Sequence, residues 1–212
     1  MSEATQAWAT LDDAWRAAFE AAWEAFTTGN IGVGASVTDA DGAIVAVGRN
    51  RVADTQAPSG QVFGSSLAHA EINALARLRF GQPRELVLTT TLQPCLQCSA
   101  AIRMAPIARV RVAGSDPLWT GTHDFGSLNT WLARREPVPV EGPLDGRLGA
   151  FATLLARMSP HFRAHVDDGL RERGEGALLD LKDALWATGE RDELTRTELT
   201  TALERLWDRL PH

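Results

Sequence analysis

The sequence predicts an α/β fold, with a mixed sheet carrying helices on its faces, followed by a helical extension. Three observations carry this. A hairpin signal joins two apolar runs between residues 32 and 47, strand-like and helical patterns alternate from 67 to 113, and the stretch after 141 is helical throughout. The chain has 212 residues, of which 44% are apolar and 23% charged, which is enough for a real core.

Each element has its own signal. Trp8, Leu11, Trp15, Phe19, Ala22 and Phe26 recur at helical steps, predicting one amphipathic helix over 5–27 that ends at Gly29-Asn30. Residues 32–38 and 43–47 read as strands, and Asp39-Ala40-Asp41-Gly42 supplies the turn. Residues 49–66 read as a loop. A helix is expected over 67–80, capped by Ser65 or Ser66 and stopped at Gly81-Gln82-Pro83. Residues 85–91 (ELVLTTT) form a β-branched run and a buried strand. Pro94 opens a helix from about Cys95 to Met104, and 109–113 (RVRVA) alternates as a strand. Residues 114–127 read as a loop, 128–135 as a short helix and 138–140 as a short edge strand.

Composition shifts near Glu141-Gly142-Pro143. We expect residues 1–141 to form one domain and 142–212 a helical extension packed on it. Within the extension, Ser159-Pro160 breaks a helix and Gly174 and Gly176 mark a loop. Thr195 and Glu198 have the spacing of a capping box before Leu199.

Composition also excludes functions. No run of 18 apolar residues occurs, and the first 15 residues lack the basic start and apolar run of a secretory signal. Lys182 is the only lysine, so a phosphate-loop G-K-[ST] motif is absent, as is most lysine Schiff-base chemistry. The net charge of −6 argues against a nucleic-acid partner, which demands a basic surplus. Cys95 and Cys98 are the only cysteines, so there is no disulfide framework and a cytoplasmic location is expected.

The informative residues are His69-Ala70-Glu71 and Pro94-Cys95-Leu96-Gln97-Cys98. Two cysteines one turn apart at a helix start can reach a single ion, and the positive end of the helix favours their thiolates. His69 is the best-placed third ligand. An imidazole and two thiolates make a good zinc set, with a fourth position open for a water whose pKa falls to about 7. Glu71 lies two residues beyond His69, a rotation of roughly 200° on a helix, so it reads as a proton carrier beside that water rather than a ligand. These parts suit hydrolysis of an amidine-like C–NH₂ bond. H-x-E followed by P-C-x-x-C is also the signature of zinc deaminases.

The chain resembles the cytidine and nucleoside deaminase superfamily over roughly residues 5–135, most closely the branch of tRNA adenosine deaminases and bacterial guanine and cytosine deaminases. The similar segments are Val33-Gly34-Ala35, 48–51 (GRNR), 69–75 (HAEINAL), 91–102 (TLQPCLQCSAAI) and 113–116 (AGSD). The resemblance implies a three-layer α/β/α sandwich around a five-stranded mixed sheet. It implies one zinc ion on His69, Cys95 and Cys98, with Glu71 as the proton shuttle. Asn50 would contact the base, Asp116 would stand at the pocket rim, and the Ala70 backbone would help orient the ring. A small nucleobase or nucleoside substrate and a homodimer follow from it, while the net charge argues against nucleic acid and the lack of a long apolar run against a membrane partner. The chain departs from the branch at Gln93, where Glu is usual, in its longer 49–68 loop, and after 141, where the branch has no counterpart.

Other residues read more blandly. His123 reads as a solvated loop histidine, the sharper alternative being a pocket residue or fourth ligand. Trp119 stacks on a base or packs in the core, Phe63 packs rather than acting as a lid, and His161 with His165 forms a polar surface pair. The expected function is therefore a zinc-dependent hydrolytic deaminase of a nucleobase, nucleoside or related small heterocycle. The competing readings are a tRNA adenosine deaminase and a non-catalytic zinc-containing interaction module.

Overall fold

A computed structural model describes residues 1–122, 124–134, 137–161 and 164–212, without the side chains of residues 164 and 165. The elements in order are α1 (Glu3–Ala9), α2 (Asp13–Thr27), β1 (Gly34–Thr38), β2 (Ile44–Arg49), α3 (Ala70–Leu75), β3 (Leu86–Leu92), α4 (Leu96–Met104), β4 (Ile107–Gly114), α5 (Thr130–Ala133) and β5 (Val140–Glu141). Then come α6 (Arg147–Arg157), α7 (Ala164–Arg171), α8 (Gly176–Ala187), α9 (Glu190–Leu194) and α10 (Leu199–Leu206).

The five strands form one mixed sheet in the order β2-β1-β3-β4-β5. β1 is antiparallel to both β2 and β3, and β4 is parallel to β3 and β5. Strand alternation separates two cores. Ala35, Val37, Leu86, Leu88, Val110 and Val112 join Ala70 and Ala74 of α3 and Ile102 of α4 in one cluster. On the other face, Ser36 donates to the carbonyl of Ala14 in α2, and Arg111 lies over Trp15. There Phe19 and Phe26 of α2 pack with Phe151 and Leu155 of α6 and with leucines of α8 to α10. The sheet thus lies between helices, the expected three-layer α/β arrangement, with a helical C-terminal portion. Among the described residues, no helix is long and apolar enough to cross a membrane.

Several local expectations change. The predicted first helix is two, because Asp12 caps α2 by accepting from Trp15 N–H at 3.0 Å and so ends the continuity with α1. The helix predicted over 67–80 shrinks to Ala70–Leu75. Ser65 is used in a turn, accepting from Leu67 N–H, and beyond Leu75 the amides of Arg77 and Leu78 bond three residues back. Cys95 is the cap residue of α4 rather than its first residue. The capping box before Leu199 does not form: Glu198 is the cap without a side-chain bond, and Thr195 donates instead to the carbonyl of Asp192.

Candidate metal centre and its cavity

The metal-ligating residues meet because two helix starts converge under the sheet. His69 precedes α3 and Cys95 precedes α4, both with extended backbone, while Cys98 lies inside the first turn of α4. α3 can sit this close because Gly48 of β2 has no side chain. A Cβ there would lie 2.3 Å from the Ala70 carbonyl oxygen and 2.3 Å from the Ala74 nitrogen.

Nδ1 of His69 lies 3.5 Å from the sulfur of Cys95 and 3.5 Å from that of Cys98. The three ligand atoms fall within 4.8 Å of one another, which positions them to bind a metal ion. A tetrahedral zinc with bonds of about 2.1–2.3 Å sets its ligand atoms about 3.6–3.8 Å apart, so the set fits. Glu71 stands beside the triad, with Cys98 Sγ donating to its Oε2 at 3.3 Å.

The electrostatics without metal follow from this crowding. The hydrogen bond from Cys98 stabilises the Cys95 thiolate. Burial opposes that effect, His69 reinforces it, and the Cys95 pKa falls to about 4. The Cys98 thiol is pushed up by its bond to Cys95 and by burial. His69 is raised, first by its hydrogen bond to Cys95. Burial raises Glu71, and the Cys95 charge adds to it.

His69 and Cys95 of the triad line a cavity of about 220 Å³. Its polar lining includes Asn50, His69, Glu71, Gln93, Cys95 and Asp116. Its apolar lining includes Ile31, Val33, Leu92, Leu118, Trp119 and Val166, with Ala70 at the floor. A second cavity of about 230 Å³, between α4 and the β5 edge, contains none of the triad.

Asn50 is held by its neighbours. Its amide donates to the Val33 carbonyl, and its Oδ1 accepts from Val52 N–H at 3.2 Å, which leaves the Nδ2 group to donate. Arg49 and Arg51 on either side both pair with Oδ2 of Asp54, at 2.8 and 2.7 Å. Asp54 also accepts from Asn30 Nδ2 at 2.6 Å. Buried Asn73 of α3 ties the long loop to the metal helix, accepting from Val62 N–H and donating to the Arg49 carbonyl.

Every residue singled out from the sequence for this site (Asn50, His69, Ala70, Glu71, Cys95, Cys98 and Asp116) lies at the triad or on the cavity wall. Asp116 is nevertheless engaged within the protein: Oδ2 accepts from Arg157 at 3.1 Å and Oδ1 from Leu118 N–H at 3.2 Å. Trp119 lines the cavity, while Phe63 is exposed and does not. His161 bonds to the Gly29 carbonyl at 3.0 Å. His123 and the His165 side chain lie outside the described residues. Sequence reasoning missed Ile31, Leu118 and Val166. Val166 comes from α7 in the extension, where no pattern links it to a site made 70 residues earlier.

Comparisons with known proteins show structures of similar fold. NE0047 in complex with 2,6-diaminopurine superposes with a TM-score of 0.51 at 22% identity, covering 72% of this chain and 85% of that one. The guanine deaminase from Nitrosomonas europaea gives 0.49 at 22% identity, over 68% and 81%. A structure from work on tRNA:A34 deaminases gives 0.48 at 23%, over 61% and 96%. No curated protein matches the sequence. The family described as the cytidine and deoxycytidylate deaminase zinc-binding region matches residues 9–114. Since that match spans half of the chain and takes in the whole metal triad, the chain belongs to the cytidine and deoxycytidylate deaminase family.

Proposed function

We propose that the protein is a zinc-dependent hydrolytic deaminase of a nucleobase, nucleoside or related small aminated heterocycle. The observation that carries this is the cavity itself, which is lined by His69 and Cys95 of the metal set, by the buried Glu71, by the polar Asn50, Gln93 and Asp116, and by apolar side chains. Its volume is below the roughly 300–1,000 Å³ of common ligand pockets, which favours a compact ring.

In this reading His69, Cys95 and Cys98 hold the ion. Zinc would supply Lewis acidity and an activated water when bound. Glu71 would carry two protons in turn, one from the attacking water to a ring nitrogen and a second from the newly added hydroxyl to the departing amine. A C–O bond forms, the C–N bond breaks, and ammonia leaves. Burial makes Glu71 a better proton acceptor than an exposed carboxylate, which suits a group that both receives and gives a proton. Asn50 Nδ2 and the Ala70 backbone orient the ring, and Leu118, Trp119 and Val166 exclude bulk water.

We further propose that residues 1–141 form the deaminase domain and 142–212 its helical extension, and that the protein acts as a cytoplasmic homodimer. The net charge of −6 supports a small substrate over an RNA stem. The test is ammonia release by the zinc-loaded protein over a panel of cytosine, guanine, adenine, their nucleosides and 2,6-diaminopurine. Release from a free base or nucleoside, abolished in Glu71→Gln, is expected. Release from tRNA alone, or from nothing, would overturn the proposal.

A further inference from the structure

Three charged side chains that play no part in the chemistry above form a buried cluster, which meets the cavity wall at Asp116. Arg157, in the last turn of α6, is 1% exposed, and it grips Glu175 with two hydrogen bonds, Nε to Oε2 at 2.8 Å and Nη2 to Oε1 at 2.9 Å. Its Nη1 donates to Oδ2 of Asp116 at 3.1 Å. A buried ion cluster of this kind is seldom more stabilising than apolar side chains of the same volume, so stability alone is a poor reason for it.

The contacts beyond Asp116 give a better one. Asp116 caps the 3₁₀ turn Pro117–Trp119 through Leu118 N–H, and its own N–H donates to Gln93 Oε1 at 3.2 Å. Gln93 Nε2 in turn donates to the Trp119 carbonyl at 3.1 Å. Gln93 leads through Pro94 into Cys95. The turn has no fully buried residue of its own, so hydrogen bonding does much of the work of holding it. Its Leu118 and Trp119 form part of the cavity wall.

We propose that Arg157 is a positioning residue: acting through Asp116, it holds the Pro117–Trp119 turn as the surface on which a substrate ring lies. The extension beyond 141 thereby completes the site in the same chain. The kinetic arm of the test rests on the deaminase reading, while the exchange arm does not.

Arg157→Met, Arg157→Lys and the charge-matched pair Arg157→Met with Glu175→Gln are made in the full-length, zinc-loaded protein. The pair serves if the single Met variant does not fold. Amide hydrogen exchange at 116–119 should quicken about tenfold while β1 and β2 keep wild-type rates and zinc is retained. For whichever base releases ammonia, KM should rise about tenfold with kcat changed by less than about threefold. Arg157→Lys, which keeps the charge but not the fork, should fall between. Unchanged exchange at 116–119, or exchange that quickens equally throughout the fold, overturns the proposal, as does a fall in kcat with KM unchanged. If no base is deaminated, the functional reading fails, and the exchange rates still decide whether Arg157 holds the turn.

Discussion

The thiol of Cys98 and the carboxyl of Glu71 are hydrogen-bonded at 3.3 Å, so the proposed proton carrier stands next to the metal set instead of belonging to it. Burial raises the pKa of Glu71, because it disfavours the charged carboxylate in the metal-free fold. Such a group adds stability below its unfolded value near 4.5, and that stability is lost as pH rises through the folded value. Glu71→Gln should therefore lower ammonia release at least about a hundredfold. At pH 7 the metal-free variant should also be more stable than the metal-free wild type by about 1–2 kcal/mol. Denaturant melts with and without zinc, alongside the ammonia assay, check both. A variant that keeps wild-type turnover would falsify the role given to Glu71.

Gly48 should tolerate no side chain. Its missing Cβ lets α3 approach backbone to backbone, and alanine would force that helix away. Gly48→Ala should cost about 3 kcal/mol or more and weaken zinc binding, because His69 and Glu71 ride on the displaced segment. Thermal melts and competition with a chromogenic chelator measure the two effects. Wild-type values in both would mean that the helix is not so tightly seated.

Acid stability should depend on Asp54. Burial disfavours its charge, but hydrogen bonds from Asn30 and Arg51 and the charge of Arg49 outweigh that and lower its pKa. Its contribution is complete above the unfolded value near 3.8 and fades as pH falls through the lower folded value. Asp54→Asn should cost roughly 3 kcal/mol at neutral pH, since it leaves two guanidiniums facing a neutral amide. Its stability should then vary less with pH between about 5 and 2 than that of the wild type. Urea unfolding across that range decides it, and parallel curves for the two proteins would count against the argument.

Removing zinc should expose a difference between the cysteines. Cys95 is partly exposed with its pKa lowered to about 4, whereas Cys98 is buried with its pKa raised. At pH 6 with a strong chelator, iodoacetamide should modify Cys95 first, and added zinc should protect both. Peptide mass spectrometry reads the order, and faster modification of Cys98 would contradict the assigned microenvironments.

Much of the candidate site was legible in the sequence because its chemistry is carried by short segments. H-A-E and P-C-L-Q-C each bring their groups together through local backbone geometry, and the strand pattern on either side sets two helix starts on one face of the sheet. Boundaries were less legible where side chains compete for backbone groups. Asp12 splits a periodic helix by capping inside it, and Ser65 spends its hydroxyl in a turn before the helix begins.

The sequence by itself determined the metal set, its neighbouring acid and the α/β alternation, since each depends on spacings of a few residues. Only the tertiary structure decided what surrounds them. Arg157 reaches Asp116 because α6 packs on β3 and β4, and Val166 reaches the cavity because α7 packs against the Pro117–Trp119 turn. Non-local burial makes those contacts, and no local period encodes them.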